Sequence, residues 1–158
     1  MYKRQTLLLL AKIDNNQFAD CVQVDLARVC REQVALCGEL FEGRGLHAGV
    51  RLPERFTVLM NETLAEVLVS NLVRNAYIHS ACGAFIDVYT EGTTLVVEND
   101  GERRLDGDRI FERFYQGSKR EGSTGLGLAL VRAVCNCYGL RAEYDFRDGR
   151  HRFRIVWP

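Results

Sequence analysis

The sequence has no excess of charge of either sign. Its 21 Lys and Arg residues balance 21 Asp and Glu residues over 158 positions. A chain without net charge has no global field that would attract nucleic acid or an anionic lipid surface, so any anionic ligand must be held by local geometry. We therefore expect that neither nucleic acid nor a membrane is a partner of this chain. The length suits about one domain with a single substantial core.

Long apolar runs and the cysteine spacings of zinc sites are also missing. The apolar run 7–10 ends at Lys12 and Asp14, which makes it too short for a signal-peptide core or a membrane span. Six cysteines are present, but no C-x-x-C pair occurs, so we expect no zinc site. Cys30 and Cys37 lie seven apart in a helical pattern and are expected to be buried, reduced thiols. These absences predict a cytoplasmic domain, whether or not its parent protein is anchored in a membrane.

What the sequence does contain is an alternation of helical and strand periodicities. In chain order we expect a helix end at 1–12, a polar connector at 13–24, a helix at 25–41, strands at 47–52 and 56–59, a helix at 61–79, a hairpin at 84–98, an irregular stretch at 99–124, a helix at 125–138 and a hairpin at 141–157. Hairpins imply a largely antiparallel sheet, and three amphipathic helices can cover one of its faces. The predicted fold is therefore an α+β two-layer sandwich, in which a mixed, mostly antiparallel sheet carries about three helices on one face.

Two asparagines interrupt the apolar face of the helix expected at 61–79. Asn71 and Asn75 are four positions apart, so they lie on one face, one turn above the other. Side-chain amide oxygens placed in this way suit a hard cation such as Mg²⁺. The alternative is that the two amides bond to neighbouring backbone or face water. The spacing alone leaves both interpretations open.

The irregular stretch at 99–124 exceeds the ~12–15 residues usual for a loop in a compact domain, and such loops are usually functional. It starts with the segment Asn-Asp-Gly at 99–101, which either reads the amine of a purine or forms a turn. Arg113, between aromatic residues, either contacts a phosphate or stays solvated. The glycines of 122–128 precede a helix, so their backbone N–H groups either approach an anion or serve close packing. This segment is not a P-loop, because it lacks G-K-[ST].

Taken in this order, the four segments resemble a known set of motifs. They are similar to the N, G1, F and G2 boxes of histidine kinases, which belong to the GHKL (Bergerat-fold) superfamily of ATPases and kinases. The matching segments are, in that order, Asn71-x-x-x-Asn75-Ala76, Asn99-Asp100-Gly101, Phe111 to Tyr115, and Thr124-Gly125-Leu126-Gly127-Leu128. The resemblance covers about residues 20–158 and is strongest over FERFYQGSKREGSTGLGLALVRAV. Residues 1–12 look like the tail of the helical dimerisation domain that precedes such catalytic domains. Residues 13–158 would then be the ATP-binding catalytic domain.

The resemblance implies a ligand, a metal and roles for individual residues. ATP and Mg²⁺ would be bound, with Asn75 as the metal ligand, assisted by Asn71. The γ-phosphate would pass to a histidine on the dimerisation domain of the same parent protein, ahead of a response regulator. Asn99 would contact adenine, and Gly101 would let the base lie close. Residues from about 105 to 124 would form a lid over the nucleotide, seated by Phe111 and Phe114. Arg113 would make a catalytic phosphate contact. The residues around the phosphates would be Thr124, Gly125, Leu126 and Gly127.

Three positions depart from the family pattern. Asn99 replaces the usual Asp of the G1 box, so adenine would be read by an amide that offers an acceptor oxygen but no charge. Arg103 replaces the second glycine of that box, and Ile78 replaces the Lys or Arg that commonly follows Asn75 by three positions. These departures keep a second hypothesis open, a degenerate nucleotide-binding or interaction module without kinase activity.

Asn71 bears on the type of reaction. Hydrolytic members of the superfamily carry an acid at this position, and an amide cannot take a proton at neutral pH. Transfer to a neutral imidazole needs mainly positioning and charge neutralisation, so the resemblance implies a kinase. A serine kinase acting on an anti-sigma antagonist shares the same boxes and stays a third hypothesis. The phosphoacceptor histidine is not expected in this chain, because none of its three histidines lies in an H-[DE]-x-x-[TNR] segment. These histidines are expected to be structural or surface residues: His47, His79 and His151.

Overall fold

A computed structural model describes residues 2–116 and 125–158 of the chain. Its helices are Tyr2–Asp14 (α1), Leu26–Leu40 (α2), Glu62–Ile78 (α3) and Gly127–Tyr138 (α4). Its strands are Val22–Asp25 (β1), His47–Arg51 (β2), Thr57–Met60 (β3), Phe85–Glu91 (β4), Thr94–Asp100 (β5), Arg141–Arg147 (β6) and Arg150–Val156 (β7). The expected order of helices and strands is therefore confirmed over the described ranges, except for β1, which was not expected.

Five strands form the main sheet in the order β2-β4-β5-β7-β6 within the described part of the chain. The β2–β4 pair is parallel and the other three pairs are antiparallel, as expected for a mixed, mostly antiparallel sheet. The polar connector expected at 13–24 is wrong at its end, because β1 pairs there with β3 in a separate two-stranded sheet. A strand of four residues is too short to produce a recognisable alternation.

The helices cover one face of the main sheet, which confirms the two-layer sandwich. Alternate strand residues point to this face and are buried under α3, which packs against both α2 and α4: Ile86, Val88, Leu95, Val97, Phe153 and Ile155. The opposite face carries ion pairs between strands, such as Glu98 of β5 with Arg152 of the adjacent β7 at 2.9 Å, and Asp87 of β4 with Arg150 of β7, across β5, at 2.6 Å. The apolar face therefore fixes the positions of α3 and α4, which both contribute to the candidate site.

Side-chain caps begin α2 and α3 at the residues where local chemistry predicts them. Asp25 Oδ1 accepts the backbone N–H of Ala27 at 3.1 Å and that of Phe56 at 3.0 Å. These backbone hydrogen bonds, the one from Phe56 first, lower the pKa of Asp25. Asn61 Oδ1 accepts the N–H of Leu64 at 3.1 Å at the start of α3. The second bond of Asp25 also ties the start of α2 to the chain entering β3.

Helix α1 extends to Asp14 and packs against α4. Its Leu10 and Ile13 belong to the same apolar core as the other helices. The division between a tail at 1–12 and a catalytic domain at 13–158 stays a prediction. Over the described residues, α1 and the other helices are too short or too polar to cross a bilayer.

Two of the cysteines lie in the core, as expected. Cys30 and Cys37 on α2 are buried and unpaired with sulfur. Burial raises the pKa of Cys30 to about 12, which makes this thiol unreactive at neutral pH. Groups of His, Cys, Asp and Glu that could hold a metal ion do not occur within residues 2–116 and 125–158.

Candidate functional site

A cavity of about 460 Å³ lies between α3, the end of β5 and the start of α4. The structure brings together in its lining six residues that the sequence predicts for the site: Asn71, Asn75, Asn99, Gly101, Gly125 and Gly127. These residues come from three separate parts of the chain, so the fold assembles the expected constellation in one place.

The paired amides of α3 face the glycine-rich start of α4. A Cβ placed on Gly127 would lie 3.3 Å from Asn71 Oδ1, closer than ordinary van der Waals contact. Asn71 Nδ2 donates to the carbonyl of Val67 at 2.7 Å, so its nitrogen satisfies helix backbone and its oxygen is turned towards α4. Asn75 is half-buried one turn further along the same cavity wall. A side chain at position 127 would require the Asn71 amide to shift by a few tenths of an ångström.

The opposite end of the cavity is formed by the last residues of β5. Asn99 is 2% exposed, and its Nδ2 donates to the carbonyl of Asp100 at 3.2 Å. Within the described residues the Asn99 side chain forms this one hydrogen bond, and no protein group donates to its Oδ1. The turn interpretation of this segment is wrong, because Asn99 and Asp100 are both strand residues, and Asp100 Oδ2 instead accepts the N–H of Phe85 at 2.8 Å.

His151 is part of the cavity wall, which sequence reasoning missed. It lies on β7 directly opposite Asn99 on β5. A Cβ on Gly101 would overlap the Nε2 and Cδ2 atoms of the imidazole, so His151 is the neighbour that requires glycine there. His151 Nδ1 lies 2.8 Å from the hydroxyl oxygen of Tyr144, and burial lowers the pKa of the imidazole. His79 lines the same cavity, four positions after Asn75 and therefore on the same side of α3. The β5–β7 register, which places His151, leaves no local signal in the sequence.

The first part of the predicted lid is anchored by Phe111. Its ring is buried and packs edge-on against Phe153, with 6.2 Å between ring centroids. Leu105 donates its N–H to the hydroxyl of Tyr144 at 3.0 Å, which holds the start of the segment to β6. Phe114 lies differently from the expectation, because it is 50% exposed. The predicted lid residues 117–124, including Thr124, lie outside the described residues.

Phe114, within the predicted lid, contacts Gly125, which directly follows that lid. The N–H of Phe114 donates to the carbonyl of Gly125 at 2.7 Å. Both residues have left-handed backbones, with φ of +65° and +73°. Leu126, which follows, is fully buried among the core residues and does not line the cavity, so its side chain supports α4.

The structure does not bring Arg113 to the cavity. Its guanidinium forms an ion pair with Asp14 of α1 at 3.0 Å, and both side chains are about half exposed. Within the described ranges the arginines that line the cavity are Arg74 and Arg103. Sequence reasoning missed Arg74, although it follows Asn71 by three positions and therefore lies beside it on the helix. Ile78 also lines the cavity, at the position where the family pattern has a cation.

Comparisons with known proteins identify relatives over most of the chain. Residues 60–158 match the family described as "Histidine kinase-, DNA gyrase B-, and HSP90-like ATPase". The heme sensor protein HssS of Staphylococcus saprophyticus is 32% identical over 143 residues, covering 82% of this chain and 30% of that protein. HssS of Staphylococcus aureus is 32% identical over 139 residues, covering 81% of this chain and 29% of that protein. The chain thus spans less than a third of the length of these relatives.

Solved structures share the fold. A mycobacterial sensor histidine kinase, MprB, superposes with a TM-score of 0.76 at 22% identity, covering 87% of this chain and 97% of that one. The catalytic domain of histidine kinase ThkA gives a TM-score of 0.74 at 22% identity, covering 88% of this chain and 95% of that one. The chain is a member of the histidine kinase-, DNA gyrase B- and HSP90-like ATPase family, and it is an ATPase domain of the sensor histidine kinase type.

Proposed function

We propose that this domain binds Mg-ATP in the cavity and transfers the γ-phosphate to a histidine on a dimerisation domain of its parent protein. The observation that supports this most directly is the cavity of about 460 Å³, whose lining brings Asn71 and Asn75 of α3 together with Gly125 and Gly127 at the start of α4. Asn99, at the other end of the cavity, suits the base of the nucleotide. A response regulator would receive the phosphoryl group from that histidine.

The residues fit Mg²⁺ that arrives with a phosphate. Asn71 and Asn75 offer neutral amide oxygens, and Mg²⁺ bound by few protein ligands completes its octahedron with phosphate oxygens and water. Asn75 would ligate the metal and Asn71 would assist it. Gly125 and Gly127 would allow phosphate oxygens to approach the N-terminus of α4, whose partial positive charge favours anions. Thr124 would contribute from the same segment, whereas the buried side chain of Leu126 would support the start of α4.

Positive charge for the phosphates is available from the cavity wall. Arg74 and Arg103 line the cavity, whereas Arg113 pairs with Asp14. We therefore assign the phosphate contact expected of Arg113 to one of these two arginines. Phe111 would hold the lid in place, and Phe114 would form its hinge with Gly125.

The chemistry of Asn71 favours transfer over hydrolysis. The bound triphosphate supplies the phosphoryl group, and the chain has to position it and neutralise its charge. The Asn71 amide cannot accept a proton at neutral pH, and its nitrogen is already bonded to Val67. It therefore cannot activate water as a carboxylate would. A neutral imidazole from outside the chain needs no such activation.

Ile78 and Arg103 favour a second candidate function. Ile78 places an apolar side chain in the cavity wall where the family pattern has a cation, and Arg103 adds a side chain where the pattern has glycine. A domain with these changes could bind nucleotide and regulate a partner without transferring phosphate.

Calorimetric titration with ADP, with and without Mg²⁺, tests the proposal. We expect Mg²⁺-dependent binding, and Asn75→Ala should weaken it by about tenfold to a hundredfold in the presence of Mg²⁺. Asn136→Ala is the matched control, because Asn136 is an exposed asparagine of α4 outside the cavity. A wild-type domain that does not bind ADP at millimolar concentration refutes the proposal.

Phosphotransfer separates the two candidates. The domain would be mixed with labelled ATP and the histidine-bearing dimerisation domain of its parent protein. Acid-labile label on that domain supports the kinase. Tight ADP binding without any label supports the degenerate module.

A further inference from the structure

His151 stands beside Asn99 in the cavity wall. The two residues are cross-strand partners of β5 and β7, so their side chains leave the same region of the sheet. The imidazole packs over Gly101, which also lines the cavity and has no side chain to cover it. Tyr144 and Phe146 of β6 lie against the ring, with centroid separations of 5.9 and 5.0 Å. The ring is therefore held in one orientation at the end of the cavity that Asn99 marks.

The contacts of His151 favour the tautomer that carries its proton on Nε2. Tyr144 accepts the N–H of Leu105, and we assign its hydroxyl proton to the 2.8 Å contact with His151 Nδ1. A neutral imidazole that accepts at Nδ1 carries its proton on Nε2. Burial lowers the pKa of His151, which keeps the ring neutral at neutral pH. Within the described residues Nε2 has no hydrogen-bond partner.

We propose that His151 is a base-reading residue of the nucleotide site, whose Nε2–H donates to a ring nitrogen of adenine while Asn99 Oδ1 accepts from the exocyclic amine. This rests on the proposed function, because it assumes that ADP or ATP occupies the cavity. It adds a residue from the last hairpin to the segments that the sequence pattern assigns to nucleotide binding. His151 also connects the base to Leu105, at the start of the lid, through Tyr144.

The donor and acceptor match adenine. Adenine presents its amine next to a ring acceptor on two edges, with N1 on one side and N7 on the other. An acceptor at Asn99 beside a donor at His151 is complementary to either edge. On its N7 edge guanine presents two acceptors, O6 and N7, so one would face Asn99 Oδ1 without a proton between them, and reading of this edge favours adenine. The N3 atom of adenine is not adjacent to the amine and should not be read.

Deaza analogues of ADP test the contact, since each replaces one ring nitrogen by C–H. On the wild-type domain, calorimetry should show either 1-deaza-ADP or 7-deaza-ADP binding about five- to tenfold more weakly than ADP, the loss expected for one hydrogen bond, with 3-deaza-ADP unchanged. His151→Phe keeps an aromatic ring but removes the N–H. It should weaken ADP by a similar factor and abolish the additional loss with the sensitive analogue, while Tyr144→Phe should give an intermediate loss.

The outcomes separate the two proposals. If the wild-type domain does not bind ADP, the proposed function fails and this inference fails with it. If ADP binds but 1-deaza-ADP and 7-deaza-ADP lose nothing, or lose as much on His151→Phe as on the wild type, the inference is overturned while the proposed function stands. Nitrogen NMR of the wild-type imidazole decides the matter without a variant if His151→Phe does not fold. A protonated Nε2 whose shift moves on addition of ADP supports the contact, and an unchanged shift overturns it.

Discussion

Replacing Gly125 with alanine should loosen the base of the lid. Gly125 has φ of +73°, and an added Cβ would lie 2.7 Å from the Cα and 2.8 Å from the carbonyl carbon of Phe114. These are backbone atoms of the residue whose N–H donates to the Gly125 carbonyl at 2.7 Å. Neither neighbour can rotate away as a flexible side chain would. The two chain segments must separate to accommodate the methyl group.

The expected magnitude follows from two terms. A left-handed alanine costs about 1–2 kcal/mol relative to glycine, and loss of the hydrogen bond between Phe114 and Gly125 costs about 0.5–1.5 kcal/mol. Their sum predicts that the local free energy of opening falls by about 1.5–3.5 kcal/mol. Since 1.4 kcal/mol corresponds to a factor of ten, exchange of the Phe114 amide hydrogen should accelerate by about tenfold to three-hundredfold.

Native-state hydrogen exchange followed by NMR measures this effect. Gly38→Ala is the control, because Gly38 lies in α2 and a Cβ there meets nothing within 4 Å. That change should raise the free energy of unfolding by up to about 1 kcal/mol through helix propensity and leave the Phe114 amide unaffected. Unchanged exchange of Phe114 in Gly125→Ala would refute the argument that the Gly125 backbone is packed too closely against Phe114 to accept a methyl group.

Two further predictions concern stability and reactivity. Asp25→Ala should lower the free energy of unfolding by about 1–2 kcal/mol at pH 7. The hydrogen bond from Phe56, above all, lowers the folded-state pKa of Asp25, so the stabilisation by Asp25 is present above its unfolded-state pKa and is lost as pH falls through the folded-state pKa. Urea titrations should therefore show the difference in free energy of unfolding between wild type and Asp25→Ala shrinking in acid. A difference that stays constant with pH would contradict this. Burial raises the pKa of Cys30 to about 12, so iodoacetamide should label the exposed Cys82 and spare Cys30 in the folded domain, as peptide mass spectrometry can check.

The parts of the fold that the sequence predicts are those with local causes. Asp25 and Asn61 cap helices because each side chain reaches an N–H two or three positions ahead. Asn71 and Asn75 share a cavity wall because four positions make about one helical turn. The hairpins follow from strand alternation around short turns. In each case a few neighbouring residues contain the whole physical reason.

The features that sequence reasoning missed depend on contacts between distant segments. His151 faces the cavity because the β5–β7 register places it opposite Asn99, and a shift of one residue would turn it to the other face. Phe114 was expected to pack as loop aromatics usually do. It is instead half exposed, since its backbone turns left-handed to meet Gly125. Neither the strand register nor the meeting of two distant chain segments leaves a periodic signal in the sequence.

Arg113 illustrates why a local pattern cannot assign a cation to a ligand. Its position between aromatic residues fits a phosphate contact, yet its partner is Asp14, in a helix at the other end of the chain. Such a half-exposed ion pair contributes about 0.2–1 kcal/mol, so it does little for stability. Its significance is geometric, because it joins α1 to the predicted lid, as does the ammonium of Lys3, 4.8 Å from the centre of the Phe114 ring. Lys3, which the resemblance assigns to the tail of a dimerisation helix, therefore touches the segment assigned to the lid, so packing crosses the expected division at residue 12.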